Sequence, residues 1–291
     1  MRRIDVFESR LREGEVMVMD GGTGSEAQRR GLPTGPMTWS ADALVASPDV
    51  VQAIHEDYLG AGAEIIVTNT FATSRTVLEL GGLADRTAEL NRLAVKLARQ
   101  ARDNHPERDA IVAGGVAAVT TNFDPIISDF GEQTALLAEA GVDAIVLEMV
   151  TCVEDVENAV AAAVSTGLPV WAGLSCHVAD GELHLGVRGR PHGQVSDAVA
   201  AAEANGASVV FVMHTPVEDT EVALREARRF SSLPLGAYAN VDSRNPTTPL
   251  DYLSFAQRLV EAGARIVGGC CGTTPEHVRV LREGLNSRAV V

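Results

Sequence analysis

Eight times along the chain a short run rich in Val, Ile and Ala gives way to a longer stretch whose apolar residues recur at helical spacing. The strand runs are residues 16–20, 64–69, 110–116, 144–149, 170–176, 208–214, 234–240 and 265–270, and the helical stretches include 48–61, 87–102, 133–140, 153–166, 195–205, 222–230 and 253–262. Several helical stretches close on a small-residue pattern, as in Ala61-Gly62-Ala63, Ala140-Gly141-Val142, Asn205-Gly206-Ala207 and Ala262-Gly263-Ala264. Glycine there suits the left-handed cap that turns a helix back toward a parallel strand. Strands this apolar need cover on both faces, and eight strand-helix units with short connections build a closed parallel (β/α)8 TIM barrel of the α/β class. A barrel of this kind takes up most or all of a 291-residue chain, so residues 1–291 are read as a single domain.

That architecture locates the chemistry, because a barrel of this type builds its active site at the C-terminal ends of its strands. The polar residues at those ends are Asp20, Thr68 with Asn69, Glu148, Cys176, His214, Asn240 and the pair Cys270-Cys271. A set of apolar strands has no packing reason to end so often in a charged or metal-capable group.

The adjacent cysteines are the most informative of these. Neighbouring residues meet disulfide geometry poorly, so a shared metal ion is the more natural partner. They lie in Gly268-Gly269-Cys270-Cys271-Gly272, whose glycines let the chain bend until two side chains that would face opposite ways in a regular strand converge. Thr273 or Thr274 is then placed to cap a following helix with Pro275 in its first turn. The bland alternative, that both are small buried apolar residues, suits a lone cysteine better than this cluster.

Bulk properties exclude some partners. A formal net charge of -15 opposes binding to a nucleic-acid backbone or an anionic membrane surface. Charges follow Met1 within a few residues and nowhere do eighteen uncharged apolar residues run together, so a membrane span is not expected and the cytoplasm is the expected compartment. Four cysteines are too few for a disulfide scaffold, and a reducing compartment leaves them free for metal or catalysis. The sequence leaves a homo-oligomer open.

Two stretches need weighing against other readings. Gly22-Thr23-Gly24-Ser25-Glu26-Ala27 fits a dinucleotide fingerprint in form, but the next strand ends in Val67-Thr68-Asn69-Thr70 with no acid to hold a ribose, and Asp20 would stand against a pyrophosphate. These glycines read instead as a loop that lets backbone amides approach a small anionic group. Residues 178–193, with Arg188, Arg190, Pro191 and His192, are long enough to act as a lid over the mouth or to be a solvated loop.

Taken together, these motifs resemble the homocysteine S-methyltransferase family, whose barrel also forms the homocysteine-binding part of methionine synthase and of betaine-homocysteine methyltransferase. The resemblance rests on Met19-Asp20-Gly21-Gly22-Thr23-Gly24, Trp39-Ser40-Ala41, the stretch from His55 to Ala63, Thr68-Asn69-Thr70-Phe71, the stretch from Ala140 to Glu148, and above all the closing motif from Gly268 to His277. It implies that Cys270 and Cys271 hold zinc together with a third ligand at the end of the sixth strand. The family has Asn-Cys where this chain has Met213-His214, so the third ligand becomes an imidazole, which leaves a Cys2His site with one open position. A second departure is Ala118, where the family tends to have proline.

The resemblance further implies that Glu148 binds the substrate ammonium, with Asp20, Gly21 and Thr68 around it; Asn240 joins this substrate-binding set, and Glu148 and Asp20 carry the catalytic expectation. The reading from the residues leaves Glu148 and Asp20 open as partners of a nearby arginine, His214 as a structural or basic residue, and Cys176 as another third ligand. Cys152, His277, His55 and Trp39 are expected to be structural. The implied partners are a small-molecule thiol and a methyl donor. A zinc-bound substrate thiolate would attack a sulfonium methyl, from S-methylmethionine or S-adenosylmethionine, to give methionine. Betaine, a corrinoid protein, a different thiol acceptor, or a non-catalytic thiol- or metal-binding barrel are the alternatives.

Overall fold

The computed structural model describes residues 2–35, 38–117, 127–187, 190–191, 193–241 and 247–286; Ala118, Arg188 and His192 lie outside them. Eight strands form the central sheet: β1 (Met17–Val18), β2 (Ile65–Val67), β3 (Ile111–Ala117), β4 (Ala144–Val150), β5 (Val170–Leu174), β6 (Val209–Pro216), β7 (Leu235–Asn240) and β8 (Ala264–Gly269). Each pairs in parallel with the next in sequence from β2 to β8, β8 pairs with β1, and a parallel bridge from Met19 to Ile65 joins β1 to β2. The ring is therefore closed, as the eightfold pattern predicts. The helices pack outside it, and the small-residue pattern does its expected work: Gly62 and Gly263, with φ of 110° and 108°, end the helices Pro48–Ala61 and Pro249–Glu261 in left-handed conformation.

Two apolar cores follow from the alternation of side chains along each strand. The larger lies between barrel and helices and takes, for example, Val210 and Val212 of β6; the smaller fills the barrel and takes Val209, Phe211 and Met213 of the same strand. The helix Arg3–Arg12 plugs the barrel from below with Ile4, Phe7 and Leu11. Its charged start concealed that role in the sequence. Phe7 stacks on Trp171 at 5.6 Å, Trp171 meets Phe211 at 5.9 Å, and Phe211 meets Tyr238 edge-on at 5.3 Å. An aromatic column thus runs from the plug toward the mouth, and Gly236 makes room for it, since a Cβ there would stand 2.2 Å from the Phe211 ring.

The described part of residues 178–193 is regular structure, which corrects the reading of a solvated loop. β5 ends at Leu174, and Cys176–Ala179, Glu182–Val187 and Arg190–Pro191 form a separate three-stranded antiparallel sheet. Its turn is Asp180-Gly181, both with positive φ (53° and 82°), the conformation that a two-residue hairpin needs to match strand twist. Among the described residues no helix is long and apolar enough to cross a membrane.

Candidate active site

Two strand ends bring the three proposed ligands together, each by a local break in regularity. On β6 the inward residues are odd-numbered, so strict alternation would turn His214 outward. Instead the register between β7 and β6 slips from Tyr238↔Met213 to Asn240↔Pro216, a bulge, and His214 takes a φ of 46°. For a residue with a Cβ this left-handed conformation costs about 1–2 kcal/mol, a strain that such sites hold through the surrounding structure. On β8 the Gly268-Gly269 pair admits the close approach of β1, because a Cβ on Gly268 would lie 2.9 Å from the Asp20 carbonyl. The chain then turns so that both cysteines face His214.

The result is compact. His214 Nδ1 lies 3.7 Å from Cys270 Sγ and 3.8 Å from Cys271 Sγ, and the sulfurs are 4.0 Å apart. Among the described residues this is the one cluster whose donor atoms could share a metal ion. The thiol pair gives up its first proton readily, because the remaining thiol donates to the thiolate and His214 stands beside it. It holds the second, because the neighbouring thiolate and burial both oppose another charge.

Beside this cluster a cavity of about 300 Å³ opens at the C-terminal face of the barrel. Its wall includes Asp20, the glycine loop from Gly21 to Gly24, Thr68, Glu148, Tyr238 and Trp39, besides the ligand cluster itself. Asp20 is buried and accepts the Val67 N–H at 2.8 Å; burial pushes its pKa well up, and the nearby Glu148 adds to this. Burial also raises Glu148, to about 7, with the Cys271 thiolate acting in the same direction and the Tyr238 hydroxyl, 3.4 Å from Oε1, acting against it. Gly115 leaves Glu148 its space, since a Cβ there would be 2.8 Å from Oε2. No Lys or Arg pairs with Asp20 or Glu148 among the described residues. The arginine partner left open for them is therefore missing there.

Thr68 is held by Thr70, 2.7 Å away between hydroxyls, and accepts the Gly115 N–H at 3.2 Å. Asn240 does not line the cavity; it stands behind the ligands, its Oδ1 on the Cys271 N–H and its Nδ2 on His214 Nδ1, both at 3.2 Å. Cys176 lies outside both cluster and cavity, at the start of the hairpin, and burial pushes its thiol up to about 12. Cys152 precedes the helix Val153–Val164 and is likewise raised to about 12 by burial. His277 is tied to Thr274 and to the Thr247 carbonyl, and Thr273, one of two expected helix caps, gives its hydroxyl to the Cys270 carbonyl instead. His55 is buried with neither ring nitrogen hydrogen-bonded among the described residues, and burial lowers its pKa to about 4, so it packs as a neutral ring.

Three cavity residues, Trp39, Met149 and Tyr238, escaped sequence reasoning. Trp39, taken as structural, lines the cavity with a φ of 41°, and Gly24 makes room for it, since a Cβ there would meet its ring nitrogen at 2.3 Å. Met149, with a φ of 56°, sits at a second bulge beside Glu148 and its N–H lies 3.1 Å from Met213 Sδ. Tyr238 could have been found by counting alternate residues along β7, where it shares the inward face with Gly236 and Asn240.

The profile of the homocysteine S-methyltransferase family matches residues 17–285. The chain belongs to this family. It is 31% identical to betaine–homocysteine S-methyltransferase 1 of Mus musculus across 95% of this chain and 74% of that protein. It is 25% identical to homocysteine S-methyltransferase 3 of Zea mays across 94% of this chain and 91% of that one. In three dimensions it is similar to the metallated homocysteine methyltransferase MmuM of Escherichia coli, with a TM-score of 0.79 at 22% identity over 94% of this chain and 98% of that one, a likeness of fold. Family membership makes the chain a methyltransferase.

Proposed function

We propose that this methyltransferase moves a methyl group from a sulfonium donor, S-methylmethionine or S-adenosylmethionine, to homocysteine, using zinc held by His214, Cys270 and Cys271. The observation that carries the reading is the meeting of these three donors at the barrel mouth. A tetrahedral zinc centre, with Zn–S about 2.3 Å and Zn–N about 2.0 Å, has S···S edges of about 3.8 Å and S···N edges of about 3.5 Å. The separations of 4.0, 3.7 and 3.8 Å lie within a few tenths of an ångström of these edges. A donor set of two thiolates and an imidazole suits zinc, and three protein ligands are the pattern of a site that leaves a fourth position for substrate.

Bound there, zinc would supply the Lewis acidity that lets the substrate thiol lose its proton near neutral pH. The protein's own groups do the rest. Glu148 and Asp20, with no basic partner among the described residues, present buried carboxyl groups to the homocysteine ammonium, and ionisation of Glu148 is favoured once that cation arrives. Backbone amides around Gly21 and the Thr68 hydroxyl stand along the same wall for the substrate's polar end. Trp39, Phe71 and Tyr238 give the cavity aromatic surface, on which a methyl-bearing cation is stabilised by ring quadrupoles. In the transfer, the sulfur lone pair of homocysteine forms the new C–S bond while the bond from methyl to the sulfonium leaves with its electrons on the departing thioether.

An imidazole in place of a thiolate makes the ligand set one unit less negative, so the attacking sulfur is less electron-rich. That favours a reactive sulfonium. A betaine donor is the second reading, favoured by the names of the relatives at about 30% identity. The deciding experiment incubates zinc-loaded protein and homocysteine with each donor in turn and detects methionine. Methionine from a sulfonium but not from betaine supports the first reading, and the reverse result selects the second. No zinc in protein purified under reducing conditions, or undiminished zinc in Cys270→Ala, would remove the metal centre.

A further inference from the structure

His214 holds a backbone conformation that a residue with a Cβ resists, and it does so where strand pairing lapses. β5 pairs with β6 as far as Leu174↔Val212, and the pairing with β7 skips from Tyr238↔Met213 to Asn240↔Pro216, so neither register includes His214 or Thr215. Hydroxyl groups take over there. Thr215 Oγ1 donates to the Met213 carbonyl at 2.9 Å and accepts the Cys176 N–H at 3.0 Å, while Ser175 Oγ donates to the same carbonyl at 3.2 Å. We infer that Thr215 is the positioning residue of the third ligand: its hydroxyl fixes the bulge that turns His214 toward Cys270 and Cys271.

The first of these bonds spans the strained residue. Its acceptor belongs to the residue before His214 and its donor to the residue after, so the ring of atoms it closes contains the His214 backbone and limits how far that backbone can relax. The second bond anchors this ring to a separate element. Cys176 begins the antiparallel hairpin, which is itself tied by the Gly186 N–H to the Ser175 carbonyl at 2.8 Å and by the Val178 N–H to an Asp219 carboxylate oxygen at 3.0 Å. The Thr215 hydroxyl thus uses its hydrogen on one side and a lone pair on the other, as such a group can. Thr215 is fully buried, so water does not stand in for the hydroxyl when it is lost. It does not line the cavity, and it therefore acts through its neighbour. The same bond gives Cys176 a part that its sulfur lacks: this strand-end residue serves the site with its backbone N–H.

This inference rests on the proposed zinc centre of His214, Cys270 and Cys271, and its test separates the two. Thr215→Val keeps the branched shape but removes the donor and the acceptor, whereas Thr215→Ser keeps the hydroxyl and drops the methyl group. Zinc affinity is measured on the full chain by competition with a chromophoric chelator, and the visible absorption of the cobalt-substituted protein reports the geometry around the metal. The valine variant is expected to lose about 10–100-fold in affinity, the usual effect of removing a group that orients a metal ligand, and to show an altered cobalt spectrum. The serine variant is expected to match the unsubstituted protein in both. Thr215→Ala removes the same hydroxyl without setting a methyl group against the Cys176 N–H, and it takes the place of the valine variant should that one not fold. Phe7→Ala, which loosens the far end of the barrel, controls for stability and is expected to leave zinc affinity unchanged. Affinity and spectrum retained without the hydroxyl overturn the proposal, as does a serine variant impaired as far as the valine one, or an equal loss in Phe7→Ala. Cys176→Ala keeps the backbone N–H and is expected to keep its zinc; a loss as large as that in Cys270→Ala would make the Cys176 sulfur a ligand and overturn the assignment. An unsubstituted protein that binds neither zinc nor cobalt would sink the metal centre and this inference with it, whereas unchanged affinity in the variants lacking the hydroxyl sinks this inference alone.

Discussion

Glu148 shows how much a single side chain carries at this mouth. Its carboxylate has Tyr238 as a weak donor and no basic partner among the described residues, so its charge is compensated only when a cation arrives. Glu148→Gln keeps the shape and removes the charge. A hydrogen bond to a charged group contributes about 1.5–3 kcal/mol, so the KM for homocysteine is expected to rise about 10–100-fold in initial-rate measurements. Zinc content should stay the same, and an unchanged KM would place the ammonium elsewhere. At this scale the sequence was legible where chemistry and alternation agree. Glu148 falls on the inward parity of β4 set by Ala144 and Val146. His214 does not fall on the inward parity of β6, and its place at a strand end together with the resemblance to a family drew attention to it. The bulge that turns it inward depends on pairing with β7, a contact that no local pattern encodes.

Among elements, the strands were legible because apolar runs on this fold are short and bounded by turn residues, and each observed strand lies within or close to its expected range. The hairpin was missed although its signal was present, for Asp180-Gly181 is the dipeptide that such a turn favours. The reading as a loop gave weight to the charged and polar residues beyond it instead. The plug helix Arg3–Arg12 was hidden for another reason: only Ile4, Phe7 and Leu11 face the barrel, and the partners that bury them are distant in sequence. Phe7 is buried and stacked on Trp171, so Phe7→Ala removes a ring from the base of the aromatic column. A loss of about 3–5 kcal/mol in unfolding free energy is expected from urea denaturation. A loss below about 1 kcal/mol would mean that the helix merely lies against the barrel.

At the scale of the whole molecule the weak point of the ring is its seam. β1 and β2 are the shortest barrel strands, Met17–Val18 and Ile65–Val67, and they meet through one bridge with the bonds Glu64 N–H to Val18 O (2.7 Å) and Asp20 N–H to Ile65 O (3.0 Å). Glu64 reinforces this place from below. Its carboxylate accepts Arg10 of the plug helix and Arg282 of the helix Pro275–Asn286, each at 2.6 Å, and the Val18 N–H at 3.2 Å. One acid thus joins both ends of the described chain to the two strands that close the barrel. Its side chain is 11% exposed and the arginines about a quarter, so the network falls between an exposed pair, at most about 1 kcal/mol, and a buried one, about 3–5 kcal/mol to break. Glu64→Ala is expected to cost about 2 kcal/mol and to raise amide hydrogen exchange at Ile65–Val67 more than at β4 or β5. Zinc binding should be spared, because the proposed ligands stand at the C-terminal strand ends, whereas Glu64 lies at the N-terminal start of β2. A uniform rise in exchange around the ring would show instead that the barrel opens only as a whole, with closure resting on its apolar interior rather than on this carboxylate.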